Sequence, residues 1–186
     1  MLPDNHTGSV KRLSSLISRL KTNPNLLQEH DNIMHDQKKS GVVEPANYVL
    51  VPVRNVHYLP HRDVVREDEN TTKVRVVYDA SAKGLGTSLN DCLHTGPSLN
   101  TLIFDILIRF RVHKVAMIAD VEKAFLNVAI SSEHRDYLRF FWIDDIHEAN
   151  PNIITLRFAR LVFGLTCSPA ILSDVLHHHL KIPLSG

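Results

Sequence analysis

The spacing of apolar residues changes along the chain and divides it into a helical lead-in, a β-rich middle and a mixed remainder. Val10, Leu13, Leu16, Ile17 and Leu20 recur at steps of three and four, which puts them on one stripe of a helix. Asn23-Pro24 breaks the stripe and predicts a second helix carrying Leu27, Ile33 and Met34. Lys38-Lys39 followed by Gly41 predicts its end, because cations suit a helix C-terminus and glycine suits the turn beyond it. Residues 48–53 then read as a strand, with Pro52 marking an edge or a strand end. Residues 63–66 and 73–78 predict a hairpin around a polar connection, 67–72. Residues 81–96, with Gly84, Gly86 and Gly96, read as loop. From Ser98, the positions of Leu99, Leu102, Ile103, Ile106, Leu107 and Phe110 predict an amphipathic helix, with Asp105 and Arg109 spaced for an i,i+4 pair. The unbroken apolar run 115–119 ends at Asp120 and predicts a buried central strand. Residues 137–143 and 153–162 predict a strand pair, and 167–180 a last helix. Helices and strands mix without a regular βαβ repeat, so the expected class is α+β rather than doubly wound.

Composition narrows this only a little. An apolar share of 44% and a charged share of 22% are ordinary for a globular chain, which excludes disorder over its whole length. The net charge of +1 neither requires nor forbids a nucleic-acid partner, since only clustering in space would matter. Cys92 and Cys167 have no metal-ligand spacing and predict buried thiols in a reducing compartment. The longest uncharged apolar-rich stretch, 161–172, is too short for a bilayer, so no membrane partner is expected. The expected location is intracellular and cytoplasmic.

The candidate chemistry centres on Ile118-Ala119-Asp120-Val121-Glu122-Lys123-Ala124-Phe125. A carboxylate at the end of a buried strand is well held and projects into a cleft. Phosphoryl transfer with two Mg²⁺ ions needs such oxygen ligands, and Asp120 with the backbone carbonyl of Val121 would supply half a site. On spacing alone, Asp120 equally suits a cap for the segment that follows. Trp142-Ile143-Asp144-Asp145 carries paired carboxylates but falls at an expected turn. His177-His178-His179 are adjacent on an expected helix, where neighbours point apart.

Asp120 followed five residues later by Phe125 resembles motif A of reverse transcriptases, Asp-x-x-x-x-Phe/Tyr. Phe163-Gly164-Leu165-Thr166-Cys167-Ser168-Pro169-Ala170 resembles their motif B, and Lys73-Val74-Arg75-Val76-Val77-Tyr78-Asp79 the fingers strand that carries a triphosphate-binding Arg. Leu2-Pro3-Asp4-Asn5, Tyr58-Leu59-Pro60-His61, and the stretches 75–83, 89–100 and 162–165 are similar to polyproteins of BEL/Pao-type LTR retrotransposons. The likeness runs over nearly the whole chain.

The resemblance implies a right-hand polymerase fold: a helical lead-in (1–42), a fingers-like hairpin and helix region (43–112), and an incomplete palm with a mixed or antiparallel sheet (113–186). It implies an RNA-directed DNA polymerase, in which Asp120 and the Val121 carbonyl hold one of two Mg²⁺ ions. Phe125 would be the steric gate against a ribose 2′-OH, with core packing as the alternative. Arg75 would grip the dNTP triphosphate. Arg66 is a second candidate there, with a solvated hairpin charge as the alternative. Gly164 and Leu165 would lie by the nascent base pair. The implied partners are an RNA or DNA template-primer, the dNTP, and the rest of a polyprotein (thumb, RNase H, protease, integrase). In that family motif C, Tyr-x-Asp-Asp, follows motif B, and nothing after Ala170 matches it, so Asp144-Asp145, preceding motif B, is a mimic. These 186 residues alone are therefore expected not to polymerise DNA. The alternative is a non-catalytic remnant serving as a nucleic-acid-binding or interaction module.

Overall fold

Helix α1 (His6–Leu20) buries Leu13, Leu16, Ile17 and Leu20 of the stripe its spacing predicts, with Val10 partly buried against the same core. Helix α2 (Pro24–Lys39) starts where Asn23 accepts a hydrogen bond from the Leu26 amide at 3.3 Å, and buries Leu27, His30, Asp31 and Met34. Gly41 follows with a φ of +68°, a conformation that costs glycine little. The computed structural model describes residues 2–46, 56–68, 71–84 and 86–181, with backbone alone at 66–68 and 71–73. The strand expected over 48–53 lies outside the described residues.

Two antiparallel sheets follow. Strands β1 (Val43–Pro45), β4 (Arg139–Ile143) and β5 (Ile153–Phe158) pair in the order β1-β5-β4, and β2 (His61–Asp68) pairs with β3 (Thr71–Tyr78). The hairpin ladder runs from His61↔Tyr78 to Asp68↔Thr71, so residues 67–68 and 71–72 belong to strands rather than to a long connection. An antiparallel reversal needs only two residues, and the extra pairs satisfy backbone groups that a wider loop would leave to water. A single-turn helix, α3 (Leu89–Cys92), interrupts the expected loop through a capping box between Ser88 and Asp91. Helix α5 (Ser168–Lys181) closes the described chain. The class is α+β, with small antiparallel sheets. Among the described residues no helix is long and apolar enough to cross a membrane.

The core forms around β4, all five of whose residues are buried. Phe140 packs on Tyr78 and Phe158 with ring centroids 5.0 and 5.1 Å away, Phe141 stacks on Tyr58 at 4.4 Å, and Trp142 stacks on His30 at 4.5 Å. Residues 57–59 pair with the start of β4 on its outer edge: the Leu59 amide donates to the Arg139 carbonyl at 2.7 Å. Asn5 pins that segment to α1, accepting from the Tyr58 amide and donating to the Tyr58 carbonyl.

Three expectations need correcting. The apolar run 115–119 is not a buried central strand; it forms no regular element, and Met117 is 90% exposed. A strand requires a neighbour for its hydrogen bonds, and 115–119 pairs with none of the described strands. Helix α4 (Ile103–Val112) begins five residues later than expected and buries none of its residues; its apolar side chains face outward all round, and Asp105 and Arg109 make no ion pair among the described residues. The thiols are not buried either: Cys92 is exposed on α3 and Cys167 is half-buried, because both lie on the outer layer.

A buried imidazole pair predicts acid lability. Neither ring nitrogen of His30, nor Nε2 of His61, has a partner among the described residues, and their rings lie 5.4 Å apart. Part of His61 stays exposed, but its Nε2 is shut away. Burial pushes His30 down to about 4, partly opposed by Asp63. Burial and the neighbouring His30 push His61 down to about 3. The unfolded chain takes up these protons near 6.5, before the folded one does, so stability is complete above that pH and drains as pH falls toward 4 and 3. Urea titrations are expected to lose on the order of 5 kcal/mol between pH 7 and 4.5 from the pair. His30→Phe, which keeps a ring on Trp142, should remove about half of that slope; an unchanged slope would mean His30 is not the titrating group.

Candidate functional site

The turn between β5 and α5 carries the most constrained backbone near the predicted site. Val162 and Leu165 are buried and anchor both sides, which raises Phe163 to 65% exposure. Gly164 sits between them at φ +94°, and a Cβ there would come 3.1 Å from the Tyr78 carbonyl oxygen. Glycine thus meets two requirements at once, a left-handed conformation and close approach to β3. The Ser168 hydroxyl donates to the Val162 carbonyl at 2.7 Å, locking the turn to the start of α5.

One side chain binds the surrounding segments together. The Asn90 amide donates to the Gly164 carbonyl and to the Ser81 hydroxyl, each at 2.8 Å, and its oxygen accepts from the Thr166 amide at 3.0 Å. Its backbone amide donates to the Ala80 carbonyl. Segments around 78–81, 88–92 and 163–168 therefore meet at a single point. Phe125 joins them from a 3-10 turn (Ala124–Asn127), its ring edge-on to Phe163 with centroids 4.4 Å apart. Lys123, at φ +50°, turns the chain sharply into that contact. Beside Leu165 opens an apolar cleft of about 810 Å³, walled by Leu89, Leu93, Val128, Leu161 and Ile171.

The predicted residues divide into those the fold assembles and those it leaves apart. Phe125, Gly164 and Leu165 lie in this cluster. Asp120 and Val121 sit on the exposed stretch before Lys123, and the Asp120 carboxylate takes no partner among the described residues. Arg75 is exposed on β3, opposite Val64, and no hydrogen bond or ion pair links it to the cluster among the described residues. Arg66 pairs with Lys73 in the hairpin ladder; its side chain lies outside the described residues. No three His, Cys, Asp or Glu side chains among the described residues converge as a metal site.

The two mimics have structural explanations. Asp144 accepts from the side chain and the backbone amide of Asn152, each at 2.8 Å, and from the Asp145 amide, so it staples the β4–β5 turn. The Asn152 side-chain bond, with the backbone bonds, holds that carboxyl below the usual range. The three histidines are exposed on the last turns of α5. Asn90 and the apolar cleft were missed from sequence. The only signal for Asn90 was its place in the 89–100 stretch, where three glycines suggested a featureless loop nearby.

Compared with protein-family models and with curated proteins, the chain matches none.

Three substitutions test this geometry. Gly164→Ala forces a side chain into left-handed backbone against the Tyr78 carbonyl and should cost about 1–3 kcal/mol by urea unfolding. Asn90→Ala removes three side-chain hydrogen bonds at a partly exposed position and should cost about 1–2 kcal/mol. Phe163→Ala, on an exposed ring, should change the midpoint little. A Gly164→Ala protein as stable as the parent would mean the turn does not need the positive φ.

Proposed function

We propose that this chain forms the fingers and part of the palm of a reverse transcriptase of BEL/Pao type, the reaction being attack of a primer 3′-OH on the α-phosphate of a dNTP with loss of pyrophosphate. The observation that carries the reading is convergence. The segments bearing the resemblance fall in two distant stretches of the sequence, 75–100 and 162–170, yet residues of both meet at Asn90, Gly164 and the Tyr78 carbonyl. Phe125, five residues beyond Asp120, packs on the Phe163 ring of the same turn.

Each residue then has a chemical task. Asp120 offers an exposed carboxylate, without a partner among the described residues, beside the Val121 carbonyl, the hard oxygen donors that Mg²⁺ takes. When bound, the two ions would neutralise charge on the triphosphate and lower the barrier to in-line displacement. The Arg75 guanidinium suits bidentate contact with phosphate oxygens, with Arg66 as a second candidate. Phe125 presents a ring that would exclude a 2′-OH, and the side-chain-free Gly164 next to Leu165 lets a base pair approach the backbone. The partners are a template-primer, a dNTP and the remainder of a polyprotein.

A second reading, a nucleic-acid-binding module without catalysis, is favoured by the exposed cation Arg75, which has no ion pair among the described residues and would serve phosphate contact with or without a metal.

The test is incorporation of dNTPs by the product of the full reading frame. Asp120→Asn is expected to lower incorporation by roughly 10³-fold or more, the several kcal/mol a lost metal ligand removes, while leaving template-primer affinity within about twofold. Incorporation at the parent rate would end the assignment of Asp120. Phe125→Val should raise ribonucleotide incorporation relative to deoxynucleotide; an unaltered ratio would return Phe125 to a packing role. The 186 residues alone are expected to bind template-primer without extending it.

A further inference from the structure

The chain carries a second charged feature that the site above does not use. An open cleft of about 670 Å³ runs between α1 and the β2–β3 hairpin, with Lys11, Arg12, Ser15 and Arg19 on its helical wall and Arg62 and Asp79 on the other. Some cations elsewhere are engaged, Arg135, Arg139 and Arg157 being held by Glu44 and Asp136 at 2.8–3.0 Å. Others, such as Arg109 and Arg111, are exposed without an ion pair among the described residues; the cleft differs in setting its cations on two facing walls. Within it, Arg19 is held by Asp63. Lys11, Arg12 and Arg62 are exposed and make no ion pair among the described residues. Asp79, the opposing charge in the cleft, is turned to the Ser81 amide, from which it accepts at 3.0 Å.

The register extends this surface. Arg62 stands opposite Val77, and Arg75 lies two residues before Val77, so all three occupy one face of the hairpin. We infer that the α1–hairpin cleft binds the sugar-phosphate backbone of a nucleic acid. Lys11 to Arg19 spans about 12 Å of helix, enough to follow several successive phosphates. Guanidinium, ammonium and hydroxyl groups are the donors that phosphate contacts use. A membrane surface fits less well, because an interfacial helix must insert its apolar face, and that of α1 is buried in the core. An acidic protein partner would call for a large apolar anchor, and in the cleft wall Leu16 and Tyr78 are buried, leaving the small side chain of Val77 as the exposed apolar surface there. The inference stands on the free cations of the cleft and does not require polymerase chemistry.

The test is fluorescence anisotropy of the 186-residue chain with a labelled single-stranded DNA and with an RNA–DNA duplex, across a salt series. With three to four phosphate contacts, log K should fall against log salt with a slope of about −2 to −4. The triple variant Lys11→Gln, Arg12→Gln, Arg62→Gln, with its fold checked by circular dichroism, should bind roughly tenfold or more weakly and lose about two from that slope. Arg109→Gln with Arg111→Gln, on exposed α4, should change neither quantity. Equal affinity and slope in parent and triple variant would overturn the inference. So would an equal loss in the α4 variant, or binding to vesicles of anionic lipid without binding to nucleic acid. Because Asp120→Asn is read by incorporation and the cleft by affinity, either assignment can fail without the other.

Discussion

Strand β4 has no face toward water, and the rest of the fold is arranged to make that tolerable. Four of its five residues are large and apolar, and packing them requires elements on both sides: α2 and the hairpin over Phe140 and Trp142, α1 and residues 57–59 over Phe141. The fifth, Arg139, brings a charge to a side chain that is only 5% exposed. A buried guanidinium is tolerable only when paired, since desolvation of a lone charge costs several kcal/mol. Asp136 supplies the pair and also takes Arg157 of β5, while Glu44 of β1 takes Arg157 and Arg135. Burial alone would raise the Asp136 carboxyl, yet the hydrogen bonds from Arg157 and Arg139 outweigh it and hold the group below its usual range. One network thus registers all three strands of the sheet.

Tyr78 carries that order from the core to the candidate site. Its ring is buried against Phe140 and Phe158, and its hydroxyl reaches Met34 and Gln37 of α2, each at 3.4 Å. Its carbonyl meanwhile faces Gly164. The turn bearing Gly164 is therefore set by the core through a single residue, with Asn90 closing it from the other side. Asp120 lies on an exposed stretch, so the described fold organises Phe125, Gly164 and Leu165 and leaves the carboxylate without a partner among the described residues.

What the sequence made legible follows from how local each signal is. The α1 stripe, the Asn23-Pro24 start of α2 and the last helix, expected over 167–180 and found at Ser168–Lys181, depend on neighbours within a few residues, and each appears close to where expected. The Ser88-x-x-Asp91 capping box was equally local, but the surrounding glycines masked it. Residues 102–121 misled for a physical reason: an apolar pattern records that a segment is suited to burial, not what it packs against. Helicity at 103–112 survived because its hydrogen bonds are internal, whereas strand structure at 115–119 did not, because its bonds must come from elsewhere. Asn90 was illegible in the same sense. An asparagine in a turn is ordinary, and only the fold brings Ser81, Gly164 and Thr166 within its reach.

The net charge of +1 illustrates the limit of totals more sharply. Acids and bases nearly balance along the chain, but the fold spends them unequally. Glu44 and Asp136 are drawn into the sheet, where between them they engage three arginines, and Asp144 is drawn into a turn. On α1 the apolar stripe faces inward, so Lys11 and Arg12 are turned outward by helical geometry alone, and Arg62 meets them across the cleft. A near-neutral protein therefore presents a locally cationic groove. Recognition of phosphate depends on that local field, which falls off within about 10 Å at moderate salt, and not on the sum over the chain.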